Sequence, residues 1–270
     1  MKIDYVISWI CQALFIVALL SGIPLVFAYY PQHAFESVQK ITYLTPFGLF
    51  FRKLHYFSSE LLLFFIVFHV IIELFLSYKS KRKTESDYLF GSLAFIAVIL
   101  LMFSGYVLKA DQNGQSAALV AQNIMKDSVI LKYFSSFLSD SSVFYWKFFL
   151  WHVIFLPFFF FLFVFYHAKR VLPRIEFVSI ALSLSVIFML FFKMPKDIPF
   201  NLTSKHLTGP WFFEGVENML KMNVNVDIAV FLGFFPSIAL MFYKNESKFK
   251  TVINILLILW VIFYVAISLV

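Results

Sequence analysis

Long apolar runs separated by polar intervals fill the chain. A helix that crosses a membrane needs about 20 mostly apolar residues. Seven stretches meet that requirement, at 5–29, 55–77, 88–108, 146–168, 176–194, 226–243 and 250–270. The first is not a cleaved leader: it is too long, lacks a basic start, and ends on Tyr29-Tyr30-Pro31 rather than on small residues. Between the spans, the intervals 109–147 and 193–225 are long enough to carry short amphipathic helices, and 116–138 reads as one. No internal repeat of the transporter kind is present.

The polar intervals set an orientation. Those after the second, fourth and sixth spans hold Lys79, Lys81, Arg82, Lys83, Lys169, Arg170, Arg174, Lys244, Lys248 and Lys250, ten basic residues in 25 positions. The other three hold eleven in 97 positions. Basic residues concentrate in cytoplasmic loops, so the N-terminus is expected inside and the long loops outside. Composition agrees with a membrane protein. The 270 residues are 61% hydrophobic and only 14% charged, against about 25% in a soluble domain. That excludes a soluble enzyme, a disordered chain and a nucleic-acid-binding protein, and the net charge of +7 belongs to the loops. A single cysteine, Cys11, excludes internal disulfides and cysteine-held iron–sulfur clusters.

Of six histidines, His33 and His206 fall in outer loops, while His55, His69, His152 and His167 fall in or at the ends of the second and fourth spans. Ionisable residues at membrane depth are costly and by default functional. His55 and His69 are 14 residues apart. On a helix that is about 21 Å along the axis and some 40° short of four turns, so both rings share a face near opposite membrane surfaces. His152 and His167 are 15 apart with Pro157 between them. A proline disrupts the local ladder and can accompany a wide turn that absorbs one residue. The two spans run the same way, so His55 is level with His152 and His69 with His167. Each pair suits one haem iron through two axial imidazoles, an arrangement that carries electrons and leaves no open position. Histidines hydrogen-bonded across helices are the ordinary alternative; four matched in depth favour haem. A single metal or proton-relay site would need clustered rings. Gly91 and Gly105 on the third span, and Ser8 and Gly22 on the first, repeat the 14-residue interval. They are expected to make room for haem.

In combination these residues resemble cytochrome b of the quinol–cytochrome c oxidoreductases. The likeness lies in Ser21-Gly22-Ile23-Pro24 through Tyr30-Pro31 and Ala34-Phe35-Glu36-Ser37-Val38. It continues in Gly48, Arg52-Lys53-Leu54-His55, Gly105-Tyr106-Val107-Leu108 with Asp111-Gln112, and His152 through Pro157 to His167. It covers about 1–175, and the 15-residue histidine spacing is similar to that of the split, plastid-type branch. The resemblance implies an all-α integral membrane bundle of about seven transmembrane helices. Residues 1–175 would form a dihaem four-helix domain and 176–270 a three-helix quinone-site domain. It implies two non-covalent b-type haems: His55 and His152 hold the outer one, His69 and His167 the inner. Gly22, Gly48, Gly91 and Gly105 line them, and Arg52 holds an outer-haem propionate. Lys169 and Arg170 stand where they serve the inner haem, though the basic loop alone accounts for them equally well. Quinone is the expected substrate, near Pro210, Trp211 and Phe212, which sit where the family carries its outer quinone-site motif.

The chain departs from the family in places. Pro210 and Phe212 stand where the family has Glu and Tyr, and Glu214 and Glu217 are the nearby carboxylates able to accept quinol protons. They equally suit the first turns of a helix. Lys109-Ala110 replaces Pro-Trp, Ile72 an arginine, and Glu73 follows it. Cys11 is displaced from the position at which relatives attach a third haem and reads as a buried apolar residue. The leading expectation is electron transfer across the bacterial cytoplasmic (inner) membrane between quinol and quinone sites. Its partners would be a Rieske iron–sulfur protein, a c-type cytochrome or both, and a homodimer is implied by resemblance. The alternative keeps the haems and makes the chain the membrane anchor of a periplasmic oxidoreductase or multihaem cytochrome c, without a Rieske protein. A transporter or structural bundle is a third class, disfavoured by the absence of a repeat and of a charged midplane cluster.

Overall fold

A computed structural model describes residues 3–75, 84–138, 142–170, 172–199, 209–243 and 247–269. Lys79, Lys81, Arg82, Lys83, Lys244 and His206 lie outside them, so five of the ten basic residues behind the expected orientation are not described. The described residues form helices and turns without strands.

Five helical stretches are long and apolar enough to cross a membrane. They are α1 (Ile3–Ala28), α3 (Gly48–Phe75), α4 (Glu85–Leu108), a composite helix over Phe144–Ala168, and α11 (Ser247–Ser268). Two expected spans are shorter: α8 (Ile175–Phe191) and α10 (Val226–Met241) have 17 and 16 residues. Helix α3 begins seven residues before the expected 55, because Gly48 lets α2 (Ala34–Tyr43) come close enough for the Ile41 carbonyl to sit where a side chain would be. His55 is therefore well inside its helix rather than at its start. The amphipathic stretch expected at 116–138 is two elements, α5 (Gln112–Asp127) and a 3-10 helix over Leu131–Leu138. Ser128 ends the first and caps the second, its hydroxyl oxygen accepting the Leu131 N–H at 3.0 Å while its O–H donates to Asp227.

The composite helix carries the main local irregularity. It consists of α6 (Phe144–Leu150), a wide π-type segment Trp151–Phe155, and α7 (Leu156–Ala168) with Pro157 at its start. A π turn accommodates one residue more than the α turn it replaces. The 15-residue His152–His167 interval therefore behaves as 14 and matches His55–His69 in phase.

Packing pairs the helices: α1 lies along α3, α4 along α7, and α8 closes against α1 and α3. Their shared core includes Leu14, Leu62, Val98, Phe160 and Ala181. Burying a Leu or Phe side chain contributes about 1.5–3 kcal/mol against water. In a membrane this gain belongs to insertion, and helix association rests on close packing instead. Helix α10 packs on α4, and α9 (Glu214–Lys221) joins α10 and α11 through Val216, Met219 and Ala229. Helix α4 starts with a reciprocal cap, the Asp87 carboxylate accepting the Thr84 N–H at 2.8 Å. That cap holds the first turn of α4, which carries one of the groups described next.

Candidate functional site

The four span histidines meet as two pairs. His55 on α3 faces His152 with ring centres 6.0 Å apart, and His69 faces His167 at 6.2 Å. The ring planes are nearly perpendicular, at 75° and 86°. An imidazole nitrogen bonds a metal at about 2.0–2.1 Å, with the ring centre about 1.1 Å further back, so two rings on one ion stand roughly 6.3 Å apart. Both pairs meet that span.

The glycines act on the rings themselves. A Cβ added at Gly22 would lie 3.2 Å from His55 Cε1; at Gly105, 2.9 Å from His152 Cε1; at Gly91, 2.9 Å from both Cε1 and Nδ1 of His167. Ser8 lines the same inner cavity, of about 100 Å³, as His69, Gly91 and His167. The glycines do a second thing. A helical side chain covers the turn N-terminal to its own Cα, so a glycine at position i uncovers the carbonyl at i−4. Two of the rings reach those carbonyls directly. His55 Nδ1 lies 2.8 Å from the Ala18 oxygen, four before Gly22, and His167 Nδ1 lies 2.6 Å from the Asp87 oxygen, four before Gly91. His152 Nδ1 lies 3.0 Å from the Ser104 hydroxyl, which itself donates to the Leu101 carbonyl, four before Gly105, at 3.0 Å. A carbonyl only accepts, and the Ser104 proton is engaged with Leu101, so Nδ1 carries the proton in these three rings and Nε2 is the free ligand atom. Ring spacing, clearance and tautomer together fit bis-histidine haem at both levels.

Gly48 does not join them; its close neighbour is the Ile41 carbonyl. Arg52, expected to hold a propionate, is bidentate to Asp197 at 2.6 and 2.7 Å and donates to the Thr42 hydroxyl at 2.7 Å. Sequence reasoning missed Asp197, which lies 145 residues away in a loop without a motif. Arg170 stacks over Trp9 at 5.3 Å, and Lys169 donates to the Tyr166 carbonyl. Lys109, in the place of the family's Pro, pairs with Asp111 at 3.1 Å and lies over the Tyr106 ring. Cys11 is buried and lines the inner cavity with Glu73.

At the end of the bundle that carries His55 and His152, Pro210 leads into a 3-10 turn, Trp211–Phe213, followed by α9. Phe212 packs on the main core, and Phe213 meets Phe103 of α4 at 5.8 Å. Glu214 opens α9. Glu217 is one turn on, and its carboxylate accepts the Gly209 N–H. Burial pushes its pKa above the usual carboxylate range, against the Lys221 ammonium, which pulls it down. The indole N–H of Trp211 donates to Glu60 of α3 at 2.8 Å, a partner the sequence did not single out.

A helical membrane bundle with paired histidines at two depths is the architecture of a b-type cytochrome. Residues 1–172, which include all four histidines, match the profile of the Cytochrome b/b6/petB family, and the chain belongs to that family. Among curated relatives it is 32% identical over 108 residues to cytochrome b6 of Heliomicrobium gestii, covering 39% of this chain and 50% of the relative. It is 34% identical over 122 residues to cytochrome b of Theileria parva, covering 44% and 33%. It is also 29% identical over 125 residues to cytochrome b6 of Chlamydomonas reinhardtii, covering 46% and 58%. The matches thus span between a third and three fifths of the length of these relatives. A solved structure described as a hyperthermophilic respiratory Complex III superposes with a TM-score of 0.76 at 17% identity, over all of this chain and 84% of that one. That likeness establishes the fold.

Proposed function

We propose that the chain is a dihaem cytochrome b that carries electrons across a membrane, between a quinol-oxidising site at the outer end and a quinone-reducing site at the inner end of a respiratory complex. The observation carrying this reading is the pair of histidine couples at 6.0 and 6.2 Å, each with a glycine against a ring. His55 and His152 hold the outer haem, His69 and His167 the inner. Haem iron with two imidazoles takes and gives single electrons and binds no oxygen. The protein's own residues fix the ring tautomers, hold the two levels about 21 Å apart along α3, and exclude water with a phenylalanine-rich core. Arg52 has three N–H groups engaged with Thr42 and Asp197. It meets an outer propionate with the remainder of its five.

In this reading residues 1–175 form the haem domain and 176–270 complete the quinone sites, with Trp211 and Phe212 at the outer one and Glu214 and Glu217 on its watery side. The N-terminus is cytoplasmic in a bacterial inner membrane, and the complex is dimeric. The outer electron acceptor is a Rieske protein or a c-type cytochrome. Pro210 and Phe212, in place of Glu and Tyr, support a second reading, in which the chain anchors a multihaem cytochrome c or a periplasmic oxidoreductase.

The test is low-temperature EPR, with a haem assay, of the complex purified from its native membrane. Two b haems per chain with a Rieske-type signal support the first reading. Two b haems with surplus c haem and no Rieske signal support the second. Fewer than two b haems would overturn both.

A further inference from the structure

The outer end of the bundle holds a carboxylate in an unusual place. Glu60 lies on α3 five residues beyond His55, about 7.5 Å deeper along the helix and turned roughly 140° from it. It therefore faces away from the haem ligand. A donor reaches it from a distant element: the Trp211 indole N–H lies 2.8 Å from Oε2. The Trp211 turn continues to Phe213, which lies on Phe103 of α4. Helices α3 and α4 and this turn thus meet beside the level of His55 and His152.

A carboxylate at membrane depth is expensive and marks function by default. Oxidation of a quinol releases protons and needs an acceptor within hydrogen-bond reach. The turn itself supplies none at Pro210 or Phe212. Glu217 is turned onto the Gly209 backbone, and Glu214 lies in the first turn of α9. Glu60 is the carboxylate that the turn's own tryptophan touches, and Trp211 is 51% exposed, so the contact is not sealed.

We infer that Glu60 accepts the first proton from quinol at the outer site, held in place by Trp211. The inference rests on the proposed function, in which quinol is oxidised at this end. In the step, a quinol O–H bond breaks and an O–H bond forms on the Glu60 carboxylate. Complete oxidation to quinone releases a second proton to the outer water. Its two electrons would go one to the haem that His55 and His152 would hold and one to an oxidised one-electron redox protein at the outer face.

The experiment compares the intact wild-type complex with Glu60→Gln, Glu60→Asp and Glu217→Gln, using short-chain ubiquinol and menaquinol analogues. Two signals are read: the rate of b-haem reduction, and the protonated-carboxyl band in the infrared difference spectrum on quinol addition. The expected result is a carboxyl band in wild type that is missing in Glu60→Gln. That variant's kcat falls about 100-fold or more with KM little changed, the range of a lost general base. Glu60→Asp recovers part of the rate, and Glu217→Gln keeps the band. A wild-type rate and band in Glu60→Gln would overturn the inference, as would loss of the band in Glu217→Gln instead. Should Glu60→Gln assemble without haem, Trp211→Phe removes only the orienting donor, and an unchanged rate and band there would overturn it. A wild-type complex that neither analogue reduces would refute the proposed function, and the inference with it.

Discussion

Gly91→Ala is the sharpest probe of the haem architecture. The added methyl would sit 2.9 Å from Cε1 and Nδ1 of His167, where ordinary contact begins at 3.4 Å. The ring must therefore retreat by about 0.5 Å, or α4 must move by that amount, at a typical overpacking cost of about 1–3 kcal/mol. Retreat toward His69 narrows the 6.2 Å gap to about 5.7 Å, short of the roughly 6.3 Å that two imidazoles on one ion require. Retreat also stretches the 2.6 Å bond to the Asp87 carbonyl. Alanine regains about 1 kcal/mol of helix propensity over glycine, so the net penalty is up to about 2 kcal/mol. At 1.4 kcal/mol per tenfold, inner-haem affinity falls by up to about 30-fold. Gly22→Ala meets His55 at 3.2 and 3.3 Å and is expected to be milder, affecting the outer haem alone. The assay is haem stoichiometry with a redox titration that resolves the two haems. Full occupancy and unchanged midpoints for both haems in Gly91→Ala would refute the claim that this glycine sets the ring position.

The remaining predictions concern the ligands, the wide turn and the outer ion pair. Changing His55 or His152 to Ala should remove the outer haem and leave the inner, with the reverse for His69 or His167; difference spectra and haem counts check this, and loss of neither haem would sink the pairing. Deleting Ile154, a 53% exposed residue in the π segment, should restore a regular helix and keep both haems. Deleting Leu62 in α3 turns His55 by about 100° relative to His69 and should abolish at least one; equal haem content in the two deletions would contradict the phase argument. Arg52→Leu removes the cation from the Asp197 carboxylate, whose side chain is 6% exposed and which keeps the Gln39 amide as a donor at 3.1 Å, and should cost about 3 kcal/mol, the low end for a broken buried pair. Arg52→Leu with Asp197→Leu should recover much of that loss, read as thermal unfolding in detergent.

Much of the geometry around the four histidines was legible along the chain. A 14-residue interval on a helix dictates a shared face and a depth separation, whatever surrounds it. Pro157 and the 15-residue interval pointed to a wide turn, and the π segment lies directly before that proline. The 14-residue separation of Gly91 and Gly105 marked them as a pair, and a Cβ at either would lie 2.9 Å from a histidine ring. The spans were placed well at their apolar centres and less well at their ends. Apolar content locates the middle of a helix, whereas its first turn depends on close approach, as at Gly48 and Ile41.

Local periodicity carries no information about partners in distant loops. Arg52 with Asp197, and Trp211 with Glu60, join residues 145 and 151 positions apart. Each residue alone has an ordinary local reading, as an arginine near a helix start, a loop aspartate, a loop tryptophan or a carboxylate in a helix. Periodicity along one helix settled which face and depth the histidines occupy, because helix geometry is nearly independent of context. Which charges pair, and which carboxylate lies beneath the outer turn, was decided only when the chain closed on itself, because a buried charge selects whatever donor packing brings within reach.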